Sequence, residues 1–155
     1  MTLPVLLMLA LRICLVILFL PFSALDKTLN FSGAVQQAKQ VVTSDTMAKA
    51  LILVGLGVEV FMSLGIITGV ADRAAAFVLG GYCAVTALLF KQFWKPGDFW
   101  QKGQSKARDL FWDFLKNFSL AAGILLITFG TVAPDVPHFF DAPFSSTHPY
   151  RQILP

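Results

Sequence analysis

Arg12, Glu59, Lys116 and Asn117 are strongly polar side chains that sit within long apolar runs of this 155-residue chain. Arg12 and Glu59 fall near the middle of runs long enough to cross a ~30 Å hydrocarbon layer as helices. A charge at that depth costs at least ~2.5 kcal/mol on insertion scales, so each is expected to face other helices and find a partner. Arg12 lies about 13 residues before Leu25, roughly 20 Å at 1.5 Å per residue, and Glu59 about 12 residues after Met47, roughly 18 Å by the same rise. Both positions are measured from one membrane face, so the depths match and predict an Arg12–Glu59 ion pair. A planar guanidinium meets a carboxylate through two hydrogen bonds, which suits a buried pairing. Lys116 lies about five residues into the last run, roughly 7 Å deep; it either snorkels to the surface or reaches toward Glu59. Asn117 is placed to hydrogen-bond between helices. Two readings follow. In one, Arg12, Glu59, Lys116 and Asn117 line a polar pocket that takes a ligand; in the other, a satisfied ion pair only fixes the helix order.

The elements that must hold these groups are membrane helices. Hydrophobic residues make up 56% of the chain and charged residues 14%, against about 25% charged in a soluble domain. Mean hydropathy is +0.71. The expected fold is all-α: an integral membrane four-helix bundle with crossings at about 3–25, 47–70, 74–93 and 111–132. These form one domain over 1–133, followed by an extended tail rich in proline and aromatics over 134–155. The first run is read as a retained helix rather than a signal peptide, because Arg12 interrupts its apolar part and Phe22-Ser23-Ala24 is a poor cleavage match. Pro21 is expected to kink it. Between the first two crossings, Phe31, Ala34, Val35, Ala38, Val41 and Val42 recur at helical spacing, which predicts a short helix lying on the interface. Gly65 and Gly69 have the small-xxx-small spacing that lets membrane helices approach closely. A tight turn at Asp72-Arg73 makes crossings two and three antiparallel neighbours.

The third connection is the most basic part of the chain, with Lys91, Lys95, Lys102, Lys106 and Arg108. Trp94, Trp100 and Trp112 accompany it, as expected of an aromatic belt at a membrane–water boundary. The tail brings Phe139, Phe140 and Tyr150, which should dock either on the chain's own helices or on a partner protein. These six aromatics are the candidate interface residues. Lys and Arg concentrate on one side: Lys27, Lys39, Lys49 and the five basic residues of the third connection, against Arg73 and Arg151. By the positive-inside rule this places both termini outside the cytoplasm. Basic residues that flank apolar runs do not make a nucleic-acid face.

Several chemistries lack their residues. No histidine lies in any crossing, so haem held by two histidines within the helices is excluded. There is no Glu-x-x-His pattern for a di-iron bundle, no phosphate loop and no nucleophile elbow. His138 and His148, ten residues apart on the tail, read as surface histidines. Cys14 and Cys83 have no metal or redox spacing and read as small buried apolar groups. No catalytic residue and no metal ligand is assigned.

Three stretches resemble the DoxX-like family of small bacterial four-helix membrane proteins: LRICLVILFLPFSALDKT (residues 11–28, with Arg12 and Lys27), LILVGLGVEVFMSLGIITGVADRAAAFVL (51–79, with Glu59) and FLKNFSLAAGILLI (114–127). The resemblance implies a bacterial inner-membrane protein tied to respiratory or sulfur redox metabolism. The family's name comes from a subunit of a thiosulfate:quinone oxidoreductase. The leading expectation is an accessory, non-catalytic membrane subunit of a larger redox complex, surrounded by lipid. The alternatives are a quinone-interacting subunit of a thiosulfate:quinone-type oxidoreductase, with quinone or lipid near Arg12, Glu59 and Lys116, and a small-solute or proton carrier that uses Glu59.

Overall fold

A computed structural model describes residues 2–145 and 149–150 of the chain, and among them every regular element is helical. Four helices are long and apolar enough to cross a membrane: Leu3–Leu29, Asp45–Thr68, Asp72–Phe90 and Lys106–Phe129. The first is assembled from α1 (Leu3–Val16), a π-helical turn (Leu18–Ser23) and α2 (Ala24–Leu29). Leu20 leaves helical geometry at φ −125° and ψ 114°, just before Pro21, which has no amide to donate. The run thus extends beyond Leu25, but with a change of direction inside it. Helix α3 (Phe31–Ala38) follows, then α4 (Asp45–Thr68), α5 (Asp72–Phe90) and α6 (Lys106–Phe129).

All four long helices contribute to one apolar core. Val16 and Phe19 come from the first, Ile66 from α4, Ala75, Ala76, Leu79 and Cys83 from α5, and Ala121 and Ile124 from α6. Small residues let the backbones close up. A Cβ on Gly80 would stand 3.2 Å from the Ala121 carbonyl oxygen, and one on Gly65 only 2.9 Å from the Ala75 Cβ. A second, smaller core joins Val35 and Ala38 of α3 to Ala48 of α4.

The connection between α4 and α5 differs from the expected turn. Gly69, at φ 78°, closes α4, and Ala71, at φ 50°, leads into α5. Asp72 is the first residue of α5 and is fully buried. The turn therefore lies at Gly69–Ala71, where glycine tolerates the left-handed backbone, and Asp72 sits in the interior rather than in the turn. Cys14 also departs from expectation: it is exposed on the helix surface, whereas Cys83 is buried.

The tail is not simply extended. It forms a 3₁₀ turn at Ala133–Asp135 and a short helix α7 (His138–Asp141), because proline's fixed φ suits the start of a helical turn. It docks on the chain itself. The Phe144 carbonyl accepts from the amides of Arg73 (3.1 Å) and Ala74 (3.3 Å), and Arg73 donates to the carbonyls of His138 (2.7 Å) and Ala142 (3.1 Å). The Phe139 ring stacks on Phe77 at 5.9 Å and meets Phe129 edge-on. His148 and residues 151–155 lie outside the described residues.

The third connection is also tied to itself. Arg108 donates to the carbonyls of Phe99, Gln101 and Gly103. Phe93 packs against Trp94, Phe99, Phe111 and Phe114. The Asp98 carboxylate accepts from the amides of Lys106 (2.8 Å) and Ala107 (3.0 Å), and Ser105 Oγ accepts from the Arg108 amide. Together they satisfy three of the amides that the start of α6 leaves unpaired. Desolvation pushes the Asp98 carboxyl up, but the Ala107 and Lys106 amides outweigh it and hold it below its ordinary 3.8. A depressed carboxyl stabilises the folded form above its unfolded value and loses that contribution as pH falls through the folded value. Tryptophan fluorescence from Trp100 and Trp112 should therefore stay constant down to the ordinary aspartate range and change only below it. Asp98→Ala should produce the change at neutral pH, with faster hydrogen exchange at Lys106 and Ala107.

Candidate functional site

The two mid-membrane charges do not pair with each other; each has its own counter-ion. Arg12 donates to Asp72 Oδ2 (2.7 Å) and to the Ile66 carbonyl (2.7 Å), and both partners flank the α4–α5 turn. The ring of Tyr150 lies 5.8 Å from the guanidinium, and its hydroxyl donates to the Ile67 carbonyl. This cluster occupies the end of the helices where the tail docks.

Glu59 belongs to a separate cluster. Its Oε1 accepts from Ser23 Oγ (3.0 Å), Lys27 Nζ and Tyr82 OH (3.3 Å). Lys27 also donates to Ser23 (3.1 Å) and Tyr82 (3.3 Å). Three donors thus converge on one carboxylate oxygen, in a site where Glu59 is 2% exposed. Its other oxygen, Oε2, is buried and has no hydrogen-bond partner. Gly55, one helical turn before Glu59, leaves space for the tyrosine, since a Cβ there would lie 2.8 Å from Tyr82 OH.

The expected Arg12–Glu59 pair fails for two physical reasons. The first helix runs on to Leu29, so at ideal rise Arg12 is roughly 25 Å from its end, against roughly 21 Å for Glu59 from Asp45. In addition, the break at Leu20 redirects the segment that follows and sets Ser23 and Lys27 against Glu59. Lys27 counted in the sequence only as a flanking basic residue; its i,i+4 relation to Ser23 was the available signal. Tyr82 gave no signal within its apolar run, and Asp72 looked like a turn residue.

A cavity of about 410 Å³ opens beside Glu59. Its polar lining includes Ser23, Lys27, Glu59, Tyr82, Cys83, Lys91 and Asn117, and its apolar walls include Leu18, Phe19, Ile52 and Phe90. Residues of α3 such as Gly33 and Gln37 complete it, so it lies toward the side that carries the first and third connections. Asn117 does reach this cavity, and its carbonyl accepts from the Cys83 thiol at 3.3 Å. Lys116 does not join Glu59. Its side chain is 76% exposed and faces Asp113 at 3.6 Å, while Asp113 also receives Lys91 at 3.0 Å. Of the candidate interface residues, Phe139 and Tyr150 are engaged within the chain; Trp94, Trp100, Trp112 and Phe140 are exposed.

A family model described as DoxX matches residues 7–92. The chain belongs to the DoxX family. The match spans the first helix through the end of α5, so it includes Arg12, Lys27, Glu59, Asp72, Tyr82 and Cys83 but neither Lys116 and Asn117 nor the tail. No curated protein and no solved structure matches the chain. Four apolar helices and this membership make it a multi-pass membrane protein.

In this DoxX-family chain the Arg12–Asp72 pair should be structural. Arg12→Ala removes the guanidinium that pairs with the buried Asp72 carboxylate and should cost about 3–5 kcal/mol. Replacing both, as Arg12→Met with Asp72→Leu, should recover most of that loss in thermal unfolding in detergent. Lys116→Ala should shift stability by no more than about 0.5 kcal/mol.

Proposed function

We propose that this protein is a quinone-interacting membrane subunit of a bacterial inner-membrane redox assembly, and that the cavity beside Glu59 is its ring site. The observation that carries the reading is Glu59, which lines that cavity and whose buried Oε2 has no hydrogen-bond partner. An orphaned acceptor of this kind costs about 1–3 kcal/mol unless something donates to it. A quinol hydroxyl would donate to it. A quinone carbonyl would instead accept from Lys27, Tyr82 or the Asn117 amide. A cavity of about 410 Å³ with apolar walls and a few converging polar groups matches a small-molecule site. The redox setting rests on the family resemblance.

In this reading the four long helices form one bundle in the bilayer, with α3 on the interface. Lys39, Lys91, Lys95 and Lys102 between the long helices, with Lys49, Lys106 and Arg108 near their ends on the same side, outnumber Arg73 and Arg151 and support an orientation with both termini in the periplasm. The cavity then opens toward the cytoplasmic half. One observation favours a purely accessory role instead: Trp100 is 91% exposed, with Trp94, Trp112 and Phe140 also exposed, and together they could grip a neighbouring subunit. The described part of the tail docks on the chain's own helices through the Phe144 carbonyl and the Tyr150 hydroxyl, and is a poorer candidate for that contact.

The two roles separate in a binding titration. A short-chain benzoquinone added to the purified protein in detergent should quench intrinsic fluorescence saturably. Glu59→Gln keeps an acceptor for Ser23, Lys27 and Tyr82 but loses the charge, and should weaken binding of the reduced quinol by about tenfold, the equivalent of one charged hydrogen bond. The circular dichroism spectrum should be retained. The same titration with the reduced benzoquinol decides the site: quinol binding unaltered in Glu59→Gln would remove the assignment, and absence of any quinone or quinol binding would leave the accessory role.

A further inference from the structure

The connection between α5 and α6 carries the cations that the chain leaves uncompensated. Five of the eight lysines pair with an acid: Lys27 with Glu59, Lys39 and Lys49 with Asp45, and Lys91 and Lys116 with Asp113. The other three, Lys95, Lys102 and Lys106, are exposed, and among the described residues their ammonium groups have no ion pair or hydrogen bond. Arg108 directs its donors to the neutral carbonyls of Phe99, Gln101 and Gly103. Of the nearby acids, Asp98 is turned to the Lys106 and Ala107 amides, Asp113 to Lys91 and Lys116, and Asp109 is exposed. Over residues 91–113 five basic side chains face three acids, a surplus of two positive charges.

The same segment holds all three tryptophans of the chain. Ring contacts run from Trp94 through Phe93, Phe99 and Phe111 to Trp100 and Trp112, with neighbouring centroids 5.0 to 6.4 Å apart. The three indoles are joined to one cluster yet remain exposed, Trp100 at 91%. Lys95 adjoins Trp94, Lys102 lies two residues after Trp100, and Lys106 opens the helix that carries Trp112. Free ammonium groups and half-apolar rings thus alternate on one surface, at the ends of two membrane-length helices.

We infer that this surface is a docking site for the headgroups of anionic phospholipids. The ammonium groups of Lys95, Lys102 and Lys106 meet phosphodiester oxygens, while their methylene stems lie along the apolar boundary. The indoles lie at headgroup level, ring toward hydrocarbon and N–H toward ester and phosphate oxygens. A free phosphate would answer the charge but leave the rings in water, and a lipid without net charge would answer the rings but not the charge. An anionic lipid answers both. The ring cluster and Arg108 fix the loop during folding, so little ordering remains to be done on binding. A neighbouring subunit, the competing occupant, would have to bring acids to three separate lysines. The assignment is independent of what fills the Glu59 cavity.

The test places the full chain in phosphatidylcholine nanodiscs that contain a fraction of lipid with brominated acyl chains, which quench indole fluorescence on contact. Because Trp94, Trp100 and Trp112 are the only tryptophans, the quenching reports this surface alone. Brominated phosphatidylglycerol should bind at least about fivefold better than brominated phosphatidylcholine, the effect of one lysine near anionic lipid. Lys95→Gln with Lys102→Gln should bring that preference below about twofold. The charge-matched control, Lys39→Gln with Lys49→Gln, removes lysines that already pair with Asp45 and should keep it. Equal quenching by the two lipids would overturn the assignment and leave the surface to a protein partner. An unchanged preference in the Lys95/Lys102 variant, or an equal loss in both double variants, would overturn it as well.

Discussion

Charge in hydrocarbon has to be neutralised, and this requirement organises the structure. The long helices bury two acids, Glu59 and Asp72, and one arginine, Arg12, at 5% exposure or less, with Lys27 partly buried beside them. Opposite charges close together in a low-dielectric interior attract strongly, and a lone one is costly. The chain resolves the problem with two pairs at two depths. Arg12 with Asp72 ties the first helix to the α4–α5 turn, and Lys27 with Glu59 ties the segment after Leu20 to the middle of α4. Because neither pair can slide without stranding a charge, they set the relative heights of the first helix, α4 and α5. The apolar core, rich in alanine, supplies close contact but little to fix the register.

The two pairs are not equivalent. Around Arg12 both terminal nitrogens are engaged, by a carboxylate and a backbone carbonyl, with the Tyr150 ring close by and the described part of the tail across that end, and only Nε has no partner. Around Glu59 the contacts are lopsided. One oxygen takes three donors and the other none, and a cavity stands beside it. Pure structural pairing would satisfy both oxygens. The asymmetry is what a site that exchanges a ligand or a proton requires, since a fully saturated carboxylate has nothing left to offer.

The sequence made the helices legible because membrane length and apolar composition leave few alternatives. The four runs, the aromatic belt and the α3 periodicity all reappear as helices or ring clusters near the expected positions. The connectivity of the charges was not legible. Depth computed from a straight, ideal helix ignores the redirection at Leu20–Pro21, and that bend decides whether Arg12 or Lys27 meets Glu59. Asp72 was read from its neighbourhood of small residues as a turn, although the left-handed Gly69 and Ala71 make the turn and leave Asp72 for Arg12. Tyr82 reaches Glu59 only because Gly55 is small, a relation between two helices that no single-helix pattern contains. The tail's aromatics announced docking, but not that the chain itself would be the surface for Phe139 and Tyr150.

The division of charges into two independent pairs is tested most directly by double-mutant cycles on thermal unfolding in one detergent. Lys27→Met with Glu59→Gln, and Arg12→Met with Asp72→Asn, should each show a coupling energy of about 1 kcal/mol or more, as contacting charged groups do. Arg12→Met with Glu59→Gln should be additive within about 0.5 kcal/mol. Strong coupling between Arg12 and Glu59, with none between Lys27 and Glu59, would contradict the account.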